Sequence, residues 1–359
     1  MHMSDALISP VVGGAMWATT GALTAYCAKK VREDLDQSKV PLMGVLGAFI
    51  FAAQMLNFSI PGTGSSGHLG GGLILAVLLG PYAAFLVMAS VLTVQALFFA
   101  DGGLLALGAN IFNLGFFAAF IAYRLVYKRV AGPSRSRGRV FAGSLAAAVV
   151  ALQLGALGVV LETVASGVSA LPFQTFLVMM QPIHLGIGVV EGLVTAAVVL
   201  FIRRSRPEIL ERAAAGQPLS GLSIRKVLVG FTIAAVVAVG ALSWFASTNP
   251  DGLEWSISKV TSGAGVEDPS GAAHSVAASI QEATALLPGY GRPRGTLAET
   301  AAKPARPSQA AAAPSAASGD VLDGLVGAAI TVLLAVVLGL ILRRRAAKRP
   351  PAPGAASAA

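Results

Sequence analysis

The sequence predicts an all-α integral membrane protein, a bundle of seven short helices followed by a two-helix C-terminal hairpin. Three observations point to that class. The 359-residue chain is 55% hydrophobic and 12% charged, with a mean hydropathy of +0.73, whereas soluble domains carry about 25% charged residues. Its apolar residues fall in runs close to the roughly 20 that a helix needs to cross a bilayer. Its basic residues gather in clusters between those runs, as cytoplasmic loops do.

The expected spans lie near 7–27, 42–58, 70–86, 88–100, 104–127, 140–162, 181–202, 227–247 and 321–342. No basic residue precedes Lys29, so the first run is not expected to be a cleaved signal peptide, which would begin with a positive region. The chain is expected to start on the outer side and to turn inside at Lys29, Lys30, Arg32 and Lys39. The second span returns outward to a glycine-rich loop at 59–68. Residues 69–100 are short for two crossings, but a single crossing would place the basic 124–139 loop outside. Two crossings or a re-entrant hairpin, broken at Gly80-Pro81, keep that loop inside. Short helices of this kind pack inside protein.

The next two spans follow, with 163–180 as an outer loop, and Arg203, Arg204, Arg206 and Arg212 mark the inner side again. Residues 1–205 therefore form one membrane unit, 206–226 a basic cytoplasmic linker, and 227–342 a hairpin around a long outer loop. Residues 343–359 form a cytoplasmic tail. The Ala-, Pro- and Ser-rich stretch 295–319 and the tail are expected to lack fixed structure. The N-terminus is placed outside the plasma membrane and the C-terminus in the cytoplasm.

Composition and motifs exclude several function classes. A pI of about 10.1 suggests a polyanion, but the charges sit in loops between spans, so the expected partner is the bilayer and not a nucleic acid. The lone Cys27 cannot make an internal disulfide and suits a buried, inert thiol. No phosphate-binding Gly-Lys loop, HExxH or GxSxG occurs. The chain is not expected to be an enzyme or to bind a nucleotide.

The chemistry concentrates at Met1-His2. A free amine, the His2 amide nitrogen and the His2 imidazole form two fused chelate rings around a divalent nickel, copper or cobalt ion. Met1 is expected to survive processing because His2 is too large for methionine removal. One more imidazole would complete a four-nitrogen tetragonal site of the kind that selects Ni(II) or Cu(II). His68, in the loop NFSIPGTGSSGHLGGG, is the obvious fourth donor; glycine lets such a loop fold closely over a site. Alone, His68 reads as a capping or packing residue.

Polar residues inside apolar spans are costly and mark function. They are Gln54, Asn57, Gln95, Asn110, Asn113, Gln153, Glu162, Gln181, His184 and Glu191. Asp5, Asn57, Ser66, Gln95, Asn110 and His184 are the candidates to hold the ligating imidazoles in orientation. His184 is assigned that supporting role, not a ligand's. The competing reading is that the amides bond between helices. Gly14, Ala18 and Ala22, and separately Gly188 and Gly192, place small residues four apart, which suits either internal packing or docking of another membrane protein.

These segments resemble the CbiM/NikM metal-binding subunits of energy-coupling factor (ECF) transporters. MHMSDALISP is similar to the family's N-terminal start. NFSIPGTGSSGHLGGGLILAVLLGP is similar to its histidine loop, and Gln95–Asn113 and His184–Ala197 to two further signatures. Pro250-Asp251-Gly252-Leu253-Glu254 resembles the PDGLE motif of the small CbiN/NikN partner, so the chain looks like a fusion of the two. Ala6 and Ser59 stand where the family often has Gly and Pro. The resemblance implies a Ni(II) or Co(II) substrate held by Met1, His2 and His68. It also implies partners: a transmembrane coupling subunit, docked by our reading on Gly14, Ala18 and Ala22, and two cytoplasmic ATPases. An ion-coupled secondary transporter and a membrane metal sensor or scaffold are the alternatives.

Overall fold

The computed structural model describes residues 2–33, 39–132, 136–219, 221–267, 271–289 and 317–347. Met1 lies outside them, as do 290–316 and 348–359, which hold most of the stretches expected to lack fixed structure.

The described residues are mostly helical. After a short 3-10 turn at Asp5–Leu7 come α1 (Pro10–Glu33) and α2 (Lys39–Gln54). A small antiparallel hairpin follows, β1 (Phe58–Ile60) paired with β2 (Ser65–Gly67), with Ser59 opposite Ser66. Then come α3 (Gly72–Leu79), α4 (Pro81–Phe99), α5 (Leu107–Ala131), α6 (Arg137–Ser166), α7 (Phe173–Ser205) and α8 (Pro207–Ala215). The C-terminal unit adds α9 (Arg225–Gly240), α10 (Gly252–Val260), α11 (Ala272–Thr284) and α12 (Ala317–Ala347). Among the described residues, five helices are long and apolar enough to span a bilayer: α4, α5, α6, α7 and the Asp323–Ile341 part of α12.

The centre is built from α2, α3 and α4. Every residue of α3 is buried, and so is nearly all of α2. An apolar run buried all round suits a helix enclosed by others. Long α6 and α7 pack along each other. Gly188 and Gly192 explain the closeness, since a Cβ at those positions would lie 2.9 Å from Val149 Cα and 2.6 Å from Leu145 Cα. That stripe thus serves internal packing. Gly14, Ala18 and Ala22 are instead exposed along α1, whose fully buried positions are only Gly13, Thr20, Cys27 and Val31. The C-terminal unit lays α9 and α12 against α2.

Three expectations change in detail. Residues 69–100 break at Gly80 (φ 81°), as the Gly-Pro pair suggests, but unequally. The eight residues of α3 rise roughly 12 Å and the 19 of α4 roughly 28 Å. The glycine-rich loop therefore descends into the bundle to make up the difference, and β2 is fully buried. Second, α6 runs to Ser166 and α7 starts at Phe173, so the loop expected at 163–180 shrinks to 167–172. Pro182 is accommodated inside α7, a position that removes one helical donor and favours a kink. Third, the linker 206–226 holds a helix, α8, whose Pro207 takes the first helical position, where its missing N–H costs nothing. Within α5, residues Phe112–Tyr127 wind as a wide π-helix.

Candidate metal centre

Two histidines 66 positions apart in sequence meet at one end of the bundle. The rings of His2 and His68 stack with centroids 5.0 Å apart and planes 30° from parallel. His2 arrives on an extended segment ahead of the 3-10 turn, and His68 on the residue after β2.

The His2 segment is held on both edges. Asn110 accepts from Met3 N at 2.8 Å and donates to Met3 O at 3.1 Å, and Gly103 N also donates to Met3 O. Asp5 accepts from Ala106 N at 3.0 Å, and burial raises its carboxyl above the usual range. The His2 side chain is 6% exposed, and its Nδ1 lies 2.9 Å from Asp101 Oδ1. Asp101 is aimed there by Ala100, a non-glycine residue in the left-handed region (φ 52°) that ends α4. The second ring nitrogen, His2 Nε2, is buried with no hydrogen-bond partner. Leaving such a group unpaired costs about 1–3 kcal/mol.

His68 is fixed from below. Its Nδ1 donates to Leu69 O at 3.1 Å, which leaves the proton off Nε2 in the neutral ring. Burial pushes its pKa down to about 3, helped by the positive charge of the N-terminal amine, so the ring is neutral at physiological pH, as a metal ligand must be. Two residues on, the loop is clamped: Gly70 N and Gly71 N donate to the two oxygens of Glu191 at 2.7 and 3.1 Å. Gln54 donates to Gly70 O at 2.8 Å, and Gln95 to Gln54 Oε1 at 3.0 Å. Gly71 sits at φ 78°, and a Cβ there would also strike Ile50 at 2.7 Å.

The C-terminal unit covers the centre. Ser66 N and Oγ both donate to Pro250 O, and Oγ also to Asn249 O at 2.8 Å. Asp251 caps α10 through a capping box with Glu254 and faces His68 across a void of about 10 Å³, room for about one water. Burial alone would raise the Asp251 carboxyl. The N-terminal amine, with smaller help from a cap hydrogen bond and the two histidines, leaves it below the usual range. On α11, His274 Nε2 lies 3.0 Å from Ile8 O, and Gln281 donates to Ala96 O and Gly102 O.

Among the residues singled out from the sequence, His2, His68, Asp5, Asn110 and Ser66 thus converge. His184 comes close: its Nδ1 donates to Met180 O at 2.8 Å, its Nε2 is buried without a partner, and a side chain on Gly252 would lie 3.3 Å from its Cε1. Gln95 acts at one remove, through Gln54. Asn57 offers its backbone carbonyl to Ser247 N and does not reach the ring pair. Sequence reasoning does not assign Asp101, Asp251 or His274 to the centre. Glu191 was visible as a costly buried acid, but its contact with Gly70 across 121 positions has no local signal. Among the described residues, no three His, Cys, Asp or Glu side chains lie close enough to hold an ion by themselves.

Residues 2–209 match the CbiM family, described as the cobalt uptake substrate-specific transmembrane region, and residues 225–344 match the PDGLE domain. The fused nickel transport protein NikMN of Rhodobacter capsulatus is 33% identical over 347 residues, spanning 92% of this chain and 95% of that protein. The putative NikMN of Archaeoglobus fulgidus is 36% identical over 247 residues, 69% of this chain and 77% of that one. The cobalt transport protein CbiM of Geobacter sulfurreducens is 31% identical over 235 residues, 62% of this chain and 65% of that one. A crystal structure of a truncated transition metal transporter aligns with a TM-score of 0.47 at 28% identity, over 57% of this chain and 99% of that one. The chain belongs to the CbiM family of cobalt uptake substrate-specific transmembrane regions, extended by a C-terminal PDGLE domain, and is a multi-pass membrane transport subunit rather than an enzyme.

Proposed function

We propose that this chain is the substrate-binding subunit of an ECF-type ABC importer for Ni(II) or Co(II), capturing the ion at the extracytoplasmic face of the plasma membrane. The observation that carries the reading is the stacked His2–His68 ring pair near the amino end, with Asp101 beside His2 Nδ1. The ion is held by the Met1 amine, the His2 amide and imidazole, and the His68 imidazole. Only His2 Nδ1 can close a chelate ring with its own amide. Capture therefore turns the ring about Cβ–Cγ and switches its tautomer: Nδ1 releases its proton to solvent as it leaves Asp101 for the ion, and Nε2 takes up a proton from solvent that it can donate to the Asp101 carboxylate. A carboxylate accepting the outer N–H of a bound imidazole fixes its tautomer and direction. Four nitrogens in a plane favour nickel by ligand-field preference, while the relatives named for cobalt and for nickel support either ion as cargo.

On this reading the chain divides into a metal-binding bundle over 1–205, a cytoplasmic linker over 206–226, a PDGLE hairpin over 227–342 and a cytoplasmic tail over 343–359. The PDGLE unit sits over the histidine loop through Ser66 and over the Asp101 turn through Gln281, which suits a role in metal loading. Energy comes from elsewhere, from a transmembrane coupling subunit and two cytoplasmic ATPases. The exposed Gly14, Ala18 and Ala22 face of α1 is the docking stripe for the coupling subunit, since small side chains let helices approach closely.

Two experiments test this. One extra residue ahead of Met1 should abolish the d–d absorbance that purified protein gains with Ni(II), while thermal melting is unchanged; retained affinity would refute the clamp. Radioactive nickel uptake should require the coupling and ATPase genes. Concentrative uptake without them, collapsing with a protonophore at constant ATP, would make the chain a secondary transporter. Binding without uptake in the complete complex would make it a sensor or scaffold.

A further inference from the structure

Helix α11 carries three faces, each repeating at the spacing of a helical stripe. The first turns toward the bundle. His274 and Ala277 on it are buried. His274 Nε2 donates to Ile8 O at 3.0 Å, and Gln281 Nε2 donates to Ala96 O at 2.9 Å and to Gly102 O at 2.8 Å. The second is polar: Ser275, Ser279 and Glu282, all exposed. The third is apolar: Val276, Ile280 and Ala283. Val276 is 56% exposed and Ile280 46%, and Leu286, just past the helix end, is 65% exposed. A helix that packs on a bundle and otherwise faces water needs only two faces, an apolar one inward and a polar one outward. The third face has to meet something apolar.

The contacts of α11 fix its level in the molecule. Gln281 bonds to Ala96, in the last turn of α4, and to Gly102, just past its end. Leu287 N and Gly289 N donate to Phe98 O at 3.0 Å and Phe99 O at 2.7 Å, so the chain stays at that level after the helix. At the other end His274 meets Ile8, two residues before α1 opens at Pro10. His274 and Gln281 lie roughly 10 Å apart along the helix axis. The helix therefore runs across the ends of α1 and α4 and prolongs neither. Because α4 is long and apolar enough to cross a bilayer, its last turn marks the edge of the hydrocarbon. Val11, three residues past Ile8 on α1, is exposed too, so the apolar surface resumes on that helix.

We propose that α11 is an interfacial helix, half immersed in the bilayer leaflet on the His2–His68 side. Its Val276–Ile280–Ala283 flank, continued by Leu286, sits at the boundary between headgroups and acyl chains, while Ser275, Ser279 and Glu282 face water. Lipid is the occupant because the flank lies where the spans leave the bilayer, and because a polar flank beside it rules out full burial. The helix holds no Lys or Arg, so apolar area and not attraction to anionic headgroups drives the contact, and phosphatidylcholine suffices. The immersed helix also braces the histidine pair. Gln281 holds Gly102 O, next to Asp101, whose carboxylate lies 2.9 Å from His2 Nδ1.

The test uses the full chain with Cys27→Ala in phosphatidylcholine nanodiscs. Single cysteines are placed at Val276→Cys, Ile280→Cys, Ser275→Cys and Glu282→Cys and labelled with an environment-sensitive nitrobenzoxadiazole dye. All four positions are exposed, so the labels leave the packing of α11 intact, and thermal melting checks this. Two quenchers are compared: a nitroxide on the upper acyl chain of the lipid, and iodide in the water. Labels at 276 and 280 should emit to the blue of the other two, lose intensity to the lipid nitroxide and resist iodide. Labels at 275 and 282 should show the reverse. Iodide quenching at 276 and 280 as strong as at 275 and 282 would put the flank in water and overturn the proposal. Shielding at 276 and 280 from both quenchers would overturn it too, since residues 290–316 or a second copy would then cover the flank. Equal lipid quenching at all four positions would refute half immersion.

Discussion

Glu191 offers the sharpest test of how the bundle shapes the metal centre. Its two oxygens accept from consecutive amides of the histidine loop, Gly70 N at 2.7 Å and Gly71 N at 3.1 Å, and the residue is fully buried. Glu191→Gln keeps the shape but leaves one acceptor oxygen for two donors and turns an NH₂ toward the other amide. One buried N–H is then unsatisfied, at a cost of about 1–3 kcal/mol. Because the clamp lies two residues from His68, that cost falls on the state in which His68 is preset for the ion. Expressed as coupling, it corresponds to roughly 5–150-fold weaker binding. Competition between the protein and a nickel chelator measures the affinity, and melting of the metal-free protein measures the fold. Glu162→Gln serves as the comparison: Glu162 is also buried in the membrane region but accepts from Asn113 at 2.7 Å, away from the loop, so its nickel affinity should stay within about two-fold. If Glu191→Gln lowers the melting temperature while binding nickel as tightly as the parent, Glu191 is a packing group and the reasoning fails.

Four further outcomes are expected. His68→Ala should eliminate tight Ni(II) binding, whereas His184→Ala should weaken it about 10–100-fold, as loss of a supporting group does; equal, total loss in both titrations would mean the ligands are misassigned. Gly108→Ala would place a Cβ 2.6 Å from Trp17 N and 2.7 Å from Met16 C, so calorimetric melting should report a loss of about 1–3 kcal/mol from forced separation of α1 and α5. The folded pKa of His68, about 3, lies below its ordinary 6.5; the unfolded chain therefore binds the extra proton, and metal-free stability should fall as pH drops from about 6.5 toward 3. His68→Asn should flatten that profile, and an unchanged acid slope in denaturant titrations would count against the buried neutral ring. Ser136→Cys in a Cys27→Ala background should resist an impermeant thiol reagent in intact cells, since labelling there would reverse the orientation.

Much of this protein is readable in its sequence because hydrophobicity and charge act locally. Apolar run length and basic clusters alone indicate an all-α membrane protein, and the Gly80-Pro81 pair marks the break between α3 and α4 because neither residue continues a helix cheaply. Met1-His2 is legible for the same reason: the proposed chelate needs only atoms of two adjacent residues. Other features depend on which helices become neighbours. Gly188-Gly192 and Gly14-Ala18-Ala22 look alike in one dimension, yet α6 covers the first stripe and leaves the second exposed. Glu191 reads as an isolated costly acid until folding sets Gly70 and Gly71 against it. Asp101 and Asp251 carry no local signal for the metal centre, since they reach His2 and His68 only through the turn after α4 and the cap of α10. Sequence by itself determined the solvent the chain folds in and the identity of its proposed donors; tertiary structure decided their partners, because a carboxylate's electrostatic effect depends on distances of a few ångströms between segments about a hundred or more residues apart.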